Sequence, residues 1–298
     1  MDYDKISFFD AANINKRNSF IALFILFLFY VAVVYVFSYV FELGYFGVIL
    51  GIFSLLFYAA ITYFAGDQII LATSGAKKIE QKDFPYIFNT VEGLALAAQV
   101  PRPQIYLIND HSPNAFATGR DPDHSSLAIT SGLLEIMNKE ELEGVIAHEM
   151  SHIANYDIRM TMIATVFGAS IGLLSGIATR LLFFGGRGNR DREDRGGGLA
   201  IIGLIFLILA PIFSQIAMLA LSRQREYLAD TTGARMIRNP NGLASALNKI
   251  EQVNLPVAHA TDATAGLYFA LPKANDFFQL FSTHPPIQER IKRLREMY

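Results

Sequence analysis

Asn138-Lys139-Glu140-Glu141-Leu142-Glu143-Gly144-Val145-Ile146-Ala147-His148-Glu149-Met150-Ser151-His152 is the stretch on which the reading of this 298-residue chain turns. Asn138 followed three residues later by Glu141 is a helix N-cap with a capping-box partner, and the acidic first turn suits the positive end of the helix dipole. Leu142, Val145 and Ile146 form one apolar stripe at helical spacing. His148 and His152 stand four residues apart, so their imidazoles lie one turn apart on one face and can share a cation. Glu149 is about 100° round the helix from His148, near enough to touch a water on that cation without being a ligand.

This is the H-E-x-x-H arrangement of zinc peptidases; the bland alternative is a pair of surface histidines on a helix. The chain has no cysteine, so a metal site must be built from histidine and carboxylate. With 52% hydrophobic and only 17% charged residues, and a positive mean hydropathy, the composition is that of a membrane protein. A net charge of −2 offers no basic field, and no basic patch is interleaved with aromatics, so nucleic acid is excluded as a partner.

Outward from the metal helix, the N-terminal side holds two apolar runs, Phe20–Phe41 and Gly44–Gly66, each longer than the roughly 20 residues a bilayer core requires. Only Glu42-Leu43 joins them, which predicts a tight transmembrane hairpin. A cleaved signal peptide fits poorly, because the first run is too long and a second follows at once. Lys5, Lys16 and Arg17 precede the hairpin and Lys77, Lys78 and Lys82 follow it, so the positive-inside rule puts both its ends in the cytoplasm. Residues 67–157 then read as a water-soluble α+β unit. Asp83-Phe84-Pro85 is expected to start a helix that runs through about Val100, with proline in its first turn, followed by short strands at Gln104–Ile108 and Leu127–Thr130 and a third, edge strand at Asn114–Thr118. A short helix at Leu133–Met137 leads into the metal helix. The edge of such a sheet can pair with an extended peptide.

Beyond it come two less clean apolar segments, Thr161–Phe184 and Gly198–Leu221, around an Arg- and Gly-rich loop, Gly185–Gly197, that reads as flexible and exposed. Whether this second hairpin crosses the bilayer is open. Either way the chain after Leu221 lies on the same side as His148 and His152. There Glu226 and Asp230 stand four apart on one helical face. A two-His-one-Glu site takes its carboxylate from a second helix and keeps one position open. Glu226 is the candidate third ligand, and Asp230 the candidate partner for the other nitrogen of a ligand imidazole. Read alone, the same pair is an ordinary charged helix face just outside the membrane. Helices are expected at Leu243–Val253 and from Pro285-Pro286 through Arg295, with Val257–Lys273 a loop over the site. His111, His124 and His259 are not at ligand spacing and are expected at the surface.

His148-Glu149-Met150-Ser151-His152, Glu226 with Ala229-Asp230, Thr283-His284-Pro285-Pro286, and Asn114-Ala115-Phe116-Ala117 together resemble the HtpX family of membrane zinc metalloproteases, over nearly the whole chain. The resemblance implies one zinc ion on His148, His152 and Glu226, a catalytic Glu149, and Asn114, Ala115 and His284 bordering the active site, with His284 a donor to the oxyanion. It implies peptide substrates, chiefly misfolded membrane proteins, and a multi-pass protein of the bacterial inner membrane whose catalytic part faces the cytoplasm. The expected fold is an α+β integral membrane protein, mostly helical, with a zincin-type (gluzincin) domain, a small β-sheet and about four transmembrane helices. Its parts are residues 1–66 as N-terminal segment and hairpin, 67–160 with 222–298 as the protease domain, and 161–221 as the second hairpin. The rival readings are a CAAX prenyl protease, an intramembrane protease, a metal transporter and a non-catalytic metal-binding scaffold. A transporter should carry polar residues mid-membrane, and the first two apolar segments hold no acid, base or histidine.

Overall fold

The computed structural model describes residues 8–162, 171–172, 174–177, 180, 225–253 and 285–297. The expected segments Thr161–Phe184 and Gly198–Leu221, the loop Gly185–Gly197, the loop Val257–Lys273, His259 and His284 lie wholly or mostly outside them.

Two long helices open the chain, α1 (Phe8–Val40) and α2 (Gly44–Thr73), joined through a turn in which Glu42 and Gly44 take positive φ. Tyr30, Val33 and Val34 of α1 pack on Leu55 of α2, while Phe46, Phe53, Phe57 and Phe64 point outward and exposed. Large apolar side chains on the outside of a helix pair are what lipid contact requires. Among the described residues α2 is the one helix long and apolar enough to cross a membrane, so the expectation of four such helices is met here by one. The uncharged run ends at Gly66, and the helix continues past it to Thr73, where Leu71 packs on the sheet against Ile108, Phe116 and Ala128.

The sheet is mixed and four-stranded, in the order β1 (Lys77–Lys78), β2 (Gln104–Ile108), β4 (His124–Thr130), β3 (Ala115–Asp121). β2 and β4 run parallel; β1 and β3 are the antiparallel edges. Strand alternation sorts its two faces. Ile105, Leu127 and Ile129 face the main core, and Ile108, Phe116 and Ala128 face α2. The third strand does form an edge, though it runs to Asp121. α3 (Pro85–Ala98) has proline in its first turn as expected. Its Ile87, Val91 and Leu94 cover the sheet together with Val145, Ile146, Met150 and Ile153.

Those last four belong to α5 (Lys139–Ala154), preceded by the short α4 (Ser131–Ile136). The capping box forms: Asn138 Oδ1 accepts from Glu141 N–H at 2.9 Å, and Glu141 accepts from Asn138 N–H at 2.9 Å. Glu141 also accepts from Lys249 Nζ at 2.6 Å and Ser245 Oγ at 2.7 Å, which ties the start of α5 to α7 (Pro240–Val253). Burial alone would raise the Glu141 carboxyl; these donors hold it below its ordinary range. Before α7 runs a helix over residues 225–237, here α6, and the chain ends in α8 (Ile287–Arg295). Leu243, Leu247 and Ile250 of α7 and Ile291 and Leu294 of α8 complete the core around α5.

Candidate metal centre

The buried face of α5 carries His148 and Glu149, both at most 2% exposed, with His152 one turn on and partly open. The two Nε2 atoms converge to 3.1 Å. Each Nδ1 points away, to a carboxylate: His148 to Asp230 Oδ1 at 2.9 Å, His152 to Asp157 Oδ2 at 3.1 Å. A carboxylate on Nδ1 keeps the proton there and leaves Nε2 as a lone-pair donor toward the shared space.

α6 brings the third donor. Glu226 Oε2 lies 3.5 Å from His148 Nε2 and Glu226 Oε1 lies 3.4 Å from His152 Nε2. The three donor atoms form a triangle with every side inside 4.8 Å, a cluster able to hold a metal ion. The approach of α6 to α5 depends on Gly233, where a Cβ would sit 2.9 Å from the His148 backbone nitrogen. The contact continues at Ser151, whose Oγ lies 3.0 Å from the Ala229 carbonyl. Gly144 does the same for α7, since a Cβ there would meet Leu243 N at 2.7 Å. Small residues at the crossings let three helices approach closely enough for short side chains to converge.

Two members of this centre were not foreseen from the sequence. Arg290 of α8 is fully buried and grips Asp230 with two hydrogen bonds, Nε to Oδ2 at 2.8 Å and Nη2 to Oδ1 at 2.7 Å. Its Nη1 reaches Glu226 Oε2 at 3.4 Å, and Nη2 lies 3.4 Å from His148 Nδ1. Asp157, just past the end of α5, is the other. A signal for Arg290 was present: it shares a helical stripe with Ile287, Ile291 and Leu294, and an arginine on an apolar face needs a buried anion.

The electrostatics are dominated by acid. Glu149, Glu226, Asp230 and Asp157 are all buried and face one guanidinium and two imidazoles. Burial pushes the Glu149 carboxyl up, with Glu226 adding to the effect against the two imidazoles and a hydrogen bond from the Ala117 backbone N–H. Burial opposes charge on both histidines, yet hydrogen bonds outweigh it. Asp230 and Glu226 hold His148 above its ordinary value, and Asp157 and Glu226 push His152 up to about 10. Asp230, which burial alone would raise, is held low by Arg290 and His148. An excess of buried carboxylate around converging imidazoles calls for added positive charge, which protons or a divalent cation can supply.

The remaining sequence candidates fall as follows. Asn114 and Ala115 are buried at the start of β3, where Asn114 Oδ1 accepts from Ala115 N–H at 3.0 Å. The strand they begin reaches Glu149 at Ala117. His111 and His124 are exposed, His124 paired with Asp121 at 2.7 Å. His284 lies outside the described residues.

The model of peptidase family M48 matches residues 81–298. A protease HtpX homolog of Dictyoglomus thermophilum is 44% identical over 291 residues, covering 98% of this chain and 95% of its own. One from Caldanaerobacter subterraneus subsp. tengcongensis is 46% identical over 290 residues, with 96% of each chain covered. Among solved structures, Ste24p of S. mikatae is similar in fold, with a TM-score of 0.57 at 17% identity. That match covers 88% of this chain, which spans 62% of the Ste24p chain. The chain belongs to peptidase family M48 and, within it, to the HtpX membrane metalloproteases.

Proposed function

We propose that this chain is a zinc endopeptidase in which His148, His152 and Glu226 hold one zinc ion and Glu149 moves the proton. The observation that carries the reading is the convergence of the donors beside a buried carboxyl: the two Nε2 atoms lie 3.1 Å apart, Glu226 Oε2 lies 3.5 Å from His148 Nε2, and Glu226 Oε1 lies 3.4 Å from His152 Nε2. Donors at zinc's usual bond lengths in a tetrahedron stand about 3.3 Å apart. Two imidazoles with one carboxylate are also a donor set that suits zinc, and three protein ligands leave a fourth position for water or substrate.

When bound, zinc acidifies a water and polarises the scissile carbonyl. Glu149, raised by burial, accepts a proton at its carboxylate near neutral pH and passes it to the leaving amine. Asp230 and Asp157 keep the two imidazoles in the tautomer that presents Nε2. Arg290 fixes Asp230 and balances part of the acidic charge. His284 is assigned as a hydrogen-bond donor to the developing oxyanion. Asn114 and Ala115 begin the edge strand on which an extended substrate chain would lie by strand addition.

The protease domain combines residues 67–160 and 222–298 in a zincin-type (gluzincin) arrangement, with 161–221 a second apolar hairpin and about four membrane crossings in all. Lysine and arginine at both ends of the first hairpin orient that domain to the cytoplasm, in a bacterial inner membrane. The substrates are misfolded membrane proteins. The test is casein digestion by the full chain with zinc, with chelator, and as Glu149→Gln. Chelation should abolish cleavage, and the variant should keep its metal while losing roughly 10²- to 10⁴-fold in rate. A Glu149→Gln protein cutting at the parent rate would remove the mechanism.

A further inference from the structure

The metal centre is linked by two short routes to the point where α2 leaves the lipid. Between Glu42 and Asp67, α2 carries no charged residue, and its outer face exposes Phe53, Leu56, Phe57 and Phe64. From Gly66 the helix begins to pack on protein, with Gly66 and Leu71 buried while Ile69 stays half exposed. The membrane boundary therefore falls near Tyr63–Gly66, where an aromatic pair is expected at the headgroup level.

One route begins at Glu149, which accepts from the Ala117 N–H of β3. Three residues along that strand, about 10 Å, is Arg120, whose guanidinium lies over the rings of Tyr63 and Phe64 at 5.5 and 5.8 Å. The other begins at His152, held by Asp157 at 3.1 Å. Asp157 starts a helical run that reaches Met162 after five residues, about 7.5 Å. Met162 borders Gly66, where a Cβ would be 3.4 Å from its Sδ. Arg159, on the same run, donates to the Arg120 carbonyl at 2.8 Å and lies over the Tyr156 ring at 5.1 Å. Arg225, next to Glu226, donates to Thr161 Oγ1 at 3.3 Å. Three partly exposed arginines thus collar the space between the centre and the boundary, side chains suited to lipid headgroups.

We infer that the enzyme cuts next to the membrane surface: its substrate class is the extended segment adjoining the end of a spanning helix, with the scissile bond set by reach from the bilayer. The inference rests on the protease reading above. Along the first route, about 10 Å of strand and the 5.5 Å between the Arg120 guanidinium and the Tyr63 ring give a path of about 15 Å, which an extended chain at about 3.3 Å per residue covers in roughly five residues. Shorter spacers cannot reach. Longer flexible ones dilute the bond, because effective concentration falls as about the −3/2 power of length.

The test reconstitutes the full chain with zinc in phosphatidylcholine–phosphatidylglycerol vesicles, together with single-span substrates. Each carries the heptapeptide best cut in casein on Gly/Ser linkers at both ends of the span, at about 2, 5, 10, 20 and 40 residues from it. The initial rate should be negligible at the shortest spacer, greatest near five to ten, and about eight-fold below that maximum when the spacer is four times longer. A ladder that is cut only at about 20 residues or more, or is cut equally at every spacer, overturns the inference. Continued casein digestion in the same vesicles then leaves the protease reading standing; loss of both removes that reading as well.

Discussion

His148 and His152 share one turn of α5 yet are held by different means. His148 is fully buried, and its outer nitrogen meets Asp230 on α6, which Arg290 on α8 grips in turn, so two segments far along the chain converge on it. His152 is partly open, and its partner Asp157 lies five residues further on. One ligand is a product of tertiary assembly and the other of a local turn. The His148 side should therefore couple the metal to global folding, while the His152 side tunes affinity near the surface.

The strongest way to break that contrast is Arg290→Met. It leaves Asp230 and Glu226 buried without their guanidinium, and breaking a buried pair by removing one partner costs about 3–5 kcal/mol. Urea unfolding of the metal-free chain should show the loss; a midpoint equal to the parent would mean that the His148 side is not built through α8. Next in size is the pair Asp230→Asn and Asp157→Asn. Losing a carboxylate behind a ligand histidine costs about 10- to 100-fold in metal affinity. Asp230→Asn should fall at the upper end and lower stability the more, whereas Asp157→Asn should weaken zinc about tenfold and lower the unfolding midpoint less, by the His152 share alone. Competition with a chelating dye reads the first quantity. Equal effects on both quantities would erase the distinction.

The smallest expected effect is a pH dependence. Both imidazoles have folded values above the ordinary 6.5, His152 at about 10. A raised value in the folded state contributes stability that is complete below about 6.5 and is lost as pH climbs toward 10. The metal-free chain should lose Tm across that window, and its zinc affinity should rise, since protons must leave the ligands. Calorimetry with and without zinc checks both signs. Asp157→Asn should flatten the His152 share of the slope.

The same contrast explains what the sequence made legible. The i, i+4 spacings of His148 with His152 and of Glu226 with Asp230 are local, so helix geometry alone could place each pair on one face. That the two pairs meet rested on the apolar hairpin between them and on a family likeness. Arg290 sits amid Ile287, Ile291 and Leu294, which read as an ordinary packing stripe, and only the burial of Asp230 beneath it shows what its charge is for. Asp157 looked like the polar end of a helix because nothing in spacing says which way the chain turns after Asn155. In the fold, Gln104–Ile108 was readable from its β-rich run between Pro103 and Asn109-Asp110, whereas β1 has two residues and no period to detect. The extension of α2 to Thr73 was hidden because Asp67 ends the apolar run while the helix goes on to meet the sheet.

The central claim is that carboxylate and imidazoles from α6 and α5 bind one ion together. Elemental analysis of the full chain and of Glu226→Ala, each loaded with zinc and then passed over a desalting column, tests it most directly. The expected result is about one zinc per chain in the parent and far less than one in the variant. A Glu226→Ala protein that retains its zinc in full would contradict it.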